Sequence, residues 1–190
     1  MADAGLVSEG LTIPEFALVV LIGPSGSGKS TFAAEHFGPK ETISSDTCRA
    51  LVADDENDQA ATRGAFRILH AIAGERLRSR RPAVIDATNV QAAARKPLIA
   101  LARQHGCPAV AIVFDLPEDV YLERNRSRPN RTLSADIVRR QLDEMRRSLR
   151  DLHGEGFQYV YILGSVGAAE RAAIVRQPRD RQLSLEQVLG

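Results

Sequence analysis

Tryptophan is absent from this sequence, and aromatic residues make up only 5% of it. A surface that grips a long strand by stacking its bases needs many rings, so extended base stacking is not expected. Only two cysteines occur, Cys48 and Cys107, far apart and in no C-x-x-C arrangement. That argues against a disulfide framework or a thiolate metal site and fits a reducing compartment. The four histidines (His36, His70, His105, His153) share no ligand spacing and read as helix-surface or helix-end residues. The longest apolar run is residues 16–22, FALVVLI, far short of the ~20 residues of a membrane span. The opening MADAG has neither a basic region nor a signal-like apolar core. These absences predict a soluble, cytoplasmic protein with no membrane partner.

What is present fits one domain: 190 residues, of which 44% are apolar, suffice for a full core. The net charge of +1 hides an asymmetry. Residues 1–60 carry ten acidic side chains against Lys29, Lys40 and Arg49, whereas residues 124–150 carry nine arginines against Asp136, Asp143 and Glu144. Such polarity suggests an anionic ligand at the basic end, either phosphates or a nucleic-acid backbone.

The stretch that organises the chain is GPSGSGKS at residues 23–30, with Thr31 behind it. It fits the phosphate-binding pattern G-x-x-x-x-G-K-[ST] between a strand-length apolar run and a helical segment, the context that pattern needs. The glycines let the backbone turn its N–H groups inward around a phosphate, and the helix N-terminus adds its positive end. Gly23, Ser25, Gly26, Ser27, Gly28, Lys29, Ser30 and Thr31 are the expected cradle for a nucleoside triphosphate. Within it, Lys29 reaches the β- and γ-phosphates and Ser30 offers its hydroxyl to Mg²⁺.

Residues 1–15 lack periodicity and read as a loose leader. A second short strand over 41–45 ends at Asp46, and the acidic turn 54–58 caps a helix over about 59–78. A third strand over 82–85 ends at Asp86-Ala-Thr-Asn89. Residues 97–104 are helical, with Pro97 near the start and Gly106 as the stop. A fourth strand covers 109–114, and a helix from Glu118 leads into the arginine-rich stretch. After Ser134, Val138, Leu142, Met145, Leu149 and Leu152 fall at spacings of four, three, four and three, one apolar face with Arg139, Arg140, Arg146, Arg147 and Arg150 off it. A fifth strand over 157–163 and a short one near 172–176 follow, and 179–190 reads as a tail or linker. The alternation predicts an α/β domain of the P-loop NTPase type over 16–178. Its central parallel sheet is flanked by helices, and a helical lid lies at about 118–150.

Ligands in open parallel sheets bind at the carboxyl ends of the strands. Asp86 ends an apolar strand beside the P-loop, where a carboxylate meets the Mg²⁺ shell, directly or through water. Asp46 ends the strand on the acceptor side, where it can orient an attacking hydroxyl and take its proton. Helix capping is the plainer role for Asp46, and turn stabilisation for Asp86. Arg49 is placed to hold an anionic part of the acceptor, with a surface salt bridge as its plainer role. Arg124, Arg126, Arg128 and Arg131 surround Pro129 as in a lid that closes guanidinium groups over a transferring phosphate.

The order GPSGSGKST (23–31), SSDTCR (44–49), DDENDQ (54–59), DATNVQ (86–91), ARKPLI (94–99), VFDLPE (113–118), ERNRSR (123–128), EGFQYVYIL (155–163) and VRQP (175–178) resembles the kinase module of bacterial polynucleotide kinase–phosphatases of RNA repair. The resemblance implies transfer of the ATP γ-phosphate, with Mg²⁺, to a 5′-hydroxyl end of RNA or DNA. It further implies Asp46 as general base, Arg49 and Asn89 toward the acceptor, and Arg124 and Arg128 as lid arginines on the donor phosphates, with Arg131 a weaker match. In that family, phosphatase and ligase-like modules follow the kinase. A small-metabolite kinase, or a non-catalytic nucleotide-responsive module, remains open on the residues alone.

Overall fold

The computed structural model describes residues 10–127 and 133–178. The strands are β1 (Leu11–Pro14), β2 (Leu18–Ile22), β3 (Thr42–Ser44), β4 (Ala83–Asp86), β5 (Ala109–Phe114), β6 (Tyr159–Leu163) and β7 (Ile174–Gln177). The helices are α1 (Lys29–His36), α2 (Ser45–Ala53), α3 (Thr62–Arg78), α4 (Ala92–Gln104), α5 (Glu118–Arg126), α6 (Ala135–Ser148), α7 (Leu152–Glu155) and α8 (Val166–Arg171). Five strands form one parallel sheet in the order β3-β4-β2-β5-β6. β2 lies in its centre, so the phosphate motif that follows β2 opens at the middle of the carboxyl edge.

Every residue of β2 and β5 is buried, as strands covered on both faces require. Side chains alternate across the sheet with a period of two. Leu18, Val20 and Ile22 pack on one face with Ala65 and Leu69 of α3 and Leu98 of α4, while Val19 and Leu21 meet Phe32 and Ala33 of α1 on the other. The stripe read after Ser134 is the core face of α6: Val138, Leu142 and Met145 are buried there. A 3-10 turn at Leu149–Asp151 then hands it to Leu152 of α7.

Four local readings change. Residues 11–14, placed in a loose leader, are β1, which pairs in parallel with β7 to make a separate two-stranded sheet. Leu11 and Ile13 are buried in it while Thr12 and Pro14 are half-buried, an alternation too short to stand out in sequence. Helix α4 starts at Ala92, not near Pro97, and carries the proline inside it. Three alanines, the best helix formers, lead it in. Residues 59–61 form a 3-10 turn ahead of α3, with Asp58 accepting from Ala60 N–H at 2.8 Å. Ser45, read as the last residue of the second strand, and residues 46–53, unassigned in the sequence, form helix α2.

His70, on α3, has a buried Nε2 without a hydrogen-bond partner among the described residues, and burial pushes its pKa below the usual 6.5. The unfolded chain therefore takes up this proton first. His70 is neutral in both states above pH 6.5, and stability falls as pH drops below that value until the folded-state pKa is passed. His70→Gln is expected to flatten this acid-side fall in denaturant midpoints measured from pH 7 to pH 5.

Candidate active site

The phosphate loop turns on two glycines in the left-handed region, Gly26 at φ 84° and Gly28 at φ 93°, a conformation that a side chain would strain. Space adds a second reason. A Cβ on Gly26 would lie 3.2 Å from the Tyr121 carbonyl oxygen, and one on Gly28 would lie 3.1 Å from Arg124 Nη1. Lys29 opens α1 with its side chain buried under the loop, donating to the carbonyls of Gly23 and Pro24 at 2.9 Å each and to Ser27 Oγ at 3.0 Å. The ammonium is thus fixed at the mouth of the cradle.

The second cluster comes from the end of β3. Ser44 caps α2, its Oγ accepting from Asp46 N–H at 3.2 Å and Thr47 N–H at 3.4 Å. The cap leaves Asp46 in the first turn, where the helix terminus favours a negative charge. Capping, the plainer reading of Asp46, thus belongs to Ser44. Arg49, one turn on, forms an ion pair with Asp46, and its Nε donates to the Glu56 carbonyl at 2.8 Å. The Arg49 side chain is 6% exposed and that of Asp46 42%. Arg49 is therefore a fixed cation beneath a carboxylate that faces solvent, not a loose surface residue. Ser44→Ala is expected to cost about 1 kcal/mol in urea unfolding, the usual loss for a cap, and to blur the placement of Asp46.

Asp86 ends β4 in register with Ser44 of β3 and Leu21 of β2, at the same edge as the phosphate loop. Ser25, Lys29, Ser30, Asp46, Arg49 and Asp86 all line one cavity of 180 Å³, which Gln59, Thr62 and Phe66 close on the far side and Gln141 closes from α6. Asn89 does not line it. At φ 49°, Asn89 turns its Nδ2 to the carbonyls of Leu21 (2.9 Å) and Ala87 (3.3 Å), bracing the loop after β4 against β2. Thr88 and Ala87 take its place in the wall.

On the other side of the phosphate loop lies a cavity of 420 Å³. Gly26, Ser27, Gly28 and Thr31 line it with Phe32, Glu35, Phe114, Arg124 and the α8 residues Val166, Ala169 and Glu170. Arg124 reaches it from α5, its Nη1 donating to the Ser27 carbonyl at 3.4 Å. α5 is itself anchored: the Tyr121 hydroxyl donates to the Phe114 carbonyl at 2.5 Å and accepts from Leu116 N–H at 2.7 Å. Burial pushes the pKa of that phenol up to about 12. Arg128 and Arg131, read as lid arginines, lie outside the described residues.

A hydroxyl (Ser30) and a carboxylate (Asp86) in one wall are hard oxygen donors of the kind Mg²⁺ takes when phosphates and water complete its shell. Among the described residues no group of three or more His, Cys, Asp or Glu forms a protein-only metal cage. Burial raises the Cys48 thiol, which leaves it a poor nucleophile. Among the described residues no helix is long and apolar enough to cross a membrane.

Residues 18–152, most of the chain, match the family described as AAA domain. The chain belongs to that family. Among curated proteins, none matches it. In solved structures this AAA domain has the fold of P-loop kinases. A chain of the Pnkp1/Rnl/Hen1 RNA repair complex superposes with a TM-score of 0.63 at 19% identity, over 78% of this chain and 49% of that one. The AAA domain thus spans about half the length of the RNA-repair chain. A gluconokinase from Sinorhizobium meliloti 1021 gives a TM-score of 0.52 at 20% identity, covering 84% and 90%. Shikimate kinase from Acinetobacter baumannii, solved with shikimate, gives 0.50 at 18%, covering 80% and 87%.

Sequence reasoning missed three features of the AAA domain's site. Asn125 is buried and bonds both the carbonyl and the N–H of Leu133 (2.6 and 3.1 Å), tying α5 to the residues that lead into α6. α8 supplies one wall of the larger cavity. Gln141 reaches the phosphate loop from α6. Only Asn125 left a trace, as the one amide within ERNRSR.

Proposed function

We propose that this AAA domain is an ATP-dependent polynucleotide 5′-hydroxyl kinase. The observation that carries the reading is the pair of cavities on either side of one phosphate loop. The larger, with Phe32, Phe114 and Arg124, suits the nucleotide. The smaller sets Lys29, Ser30 and Asp86 opposite Asp46 and Arg49. Asp46 takes the proton of the acceptor hydroxyl as its oxygen attacks the γ-phosphorus, and the bond from that phosphorus to the ADP leaving oxygen breaks. Lys29 and Arg124 offset the charge on the transferring group. Ser30 and Asp86 would hold Mg²⁺, which when bound would supply charge neutralisation on the phosphate oxygens. Arg49 orients Asp46 and holds an anionic group of the acceptor.

Support for a polymeric acceptor comes from α6. Arg140 and Arg147 on α6 and Arg150 in the 3-10 turn after it are exposed and make no ion pair among the described residues, a surface suited to a phosphate backbone. The similarity to a chain of an RNA repair complex points the same way. Phosphatase and ligase-like modules would then be its working partners, and the cytoplasm its compartment. A small-metabolite kinase is the second reading, favoured by the modest 180 Å³ acceptor cavity and by the gluconokinase and shikimate kinase neighbours.

The test is label transfer from γ-labelled ATP with Mg²⁺ to a short single strand carrying a 5′-hydroxyl. Transfer that an excess of unlabelled 5′-hydroxyl strand competes away, and a 5′-phosphorylated strand does not, is the expected result. Transfer only to gluconate or shikimate would reject the polynucleotide reading.

A further inference from the structure

Helix α6 faces the site with three polar side chains at positions 141, 144 and 148, which share one side of a helix. Each makes a long-range bond. Gln141 Oε1 accepts from the Ser25 N–H of the phosphate loop at 2.9 Å, and Glu144 Oε2 accepts from Gln91 Nε2 at 3.0 Å. Ser148 Oγ donates to the Val90 carbonyl at 2.7 Å. The helix is strapped across the phosphate loop and the loop after β4, and Gln141 is the strap nearest the reacting groups.

A backbone N–H only donates, so the oxygen of the Gln141 amide must face Ser25 and its nitrogen must face away. That nitrogen donates to no group among the described residues. Gln141 is half-buried in the wall of the cavity that also holds Lys29, Ser30 and Asp46. Lys29 and Ser30, which the proposed function sets at the terminal phosphate, line the same cavity. We infer that Gln141 donates a hydrogen bond from Nε2 to the terminal phosphoryl of the bound triphosphate while its oxygen fixes the loop. It thereby senses whether the third phosphate is present. This inference rests on the proposed phosphoryl-transfer role of the site.

The test is binding without any acceptor. Titration calorimetry with AMP-PNP and with ADP, both with Mg²⁺, is run on the wild type, Gln141→Ala and Gln141→Glu. The near-isosteric glutamate keeps an oxygen toward Ser25 but puts a negative oxygen where the donor was. Expected is a fall of about tenfold in the AMP-PNP to ADP affinity ratio for Gln141→Ala, as for one lost bond to a charged group. The fall should be larger for Gln141→Glu, with ADP affinity held within about twofold. An unchanged ratio, or equal losses for both nucleotides, would overturn the inference and leave Gln141 a loop support only. Absence of transfer to oligonucleotides would count against the polynucleotide reading alone, because the ratio is measured without acceptor.

Discussion

Asp46→Asn is expected to slow phosphoryl transfer by at least ~100-fold, the usual size of a lost general base, with nucleotide affinity nearly unchanged. The argument is local. Ser44 caps α2, so the first turn persists in the variant. Arg49 keeps its bond to the Glu56 carbonyl, so the guanidinium stays in place. The amide keeps the volume and position of the carboxylate but cannot accept the acceptor's proton. Single-turnover label transfer, with the nucleotide bound to saturation, reads this step directly. A loss below tenfold would reduce Asp46 to an element of the α2 turn and return the search for a base to Asp86.

The largest effect on stability is expected at Arg95, which is fully buried. Its Nε and Nη2 meet Glu155 at 2.8 and 2.5 Å, and its Nη1 donates to the carbonyls of Asn89 (2.9 Å) and Val90 (3.0 Å) and to Ser148 Oγ (3.1 Å). One side chain thus joins the loop after β4, the end of α6 and α7. Removing one partner of such a pair leaves a buried charge uncompensated, which costs about 3–5 kcal/mol. Urea unfolding of Glu155→Ala should show a loss of that order. Glu155→Gln should lose less, since its oxygen still accepts. Arg95→Met combined with Glu155→Met should recover part but not all of the loss, because the carbonyls of Asn89 and Val90 remain without their donor. Full recovery in the double variant would mean that the backbone bonds contribute little.

The parts of this molecule that sequence made legible are those whose chemistry is local. The glycine pattern announced its own left-handed turns, and the α6 stripe announced its core face through spacing alone. Asp46 and Asp86 were found because parallel strands gather their carboxyl ends at one edge. What sequence hid is what depends on distant partners. The Asn89 amide pointed to the acceptor by motif, but the structure turns it to the backbone of β2. Arg95 entered only as a letter of the ARKPLI motif, since its anion stands on another helix and its carbonyl partners on a loop. Gln141 carried no charge and sat within a run of arginines that drew attention away from it. β1 was lost because its partner, β7, lies at the far end of the chain.

That last pairing bears on how the molecule assembles. Almost every described residue lies between β1 and β7, so their ribbon shuts the longest loop in the fold. Bringing such distant segments together carries an entropic cost that grows with the length between them. The two strands gain contact only once the five-stranded sheet has drawn their ends near. The ribbon is therefore expected to form last during refolding and to open first in the native state. Its amides should exchange with heavy water well before those of β2 and β5.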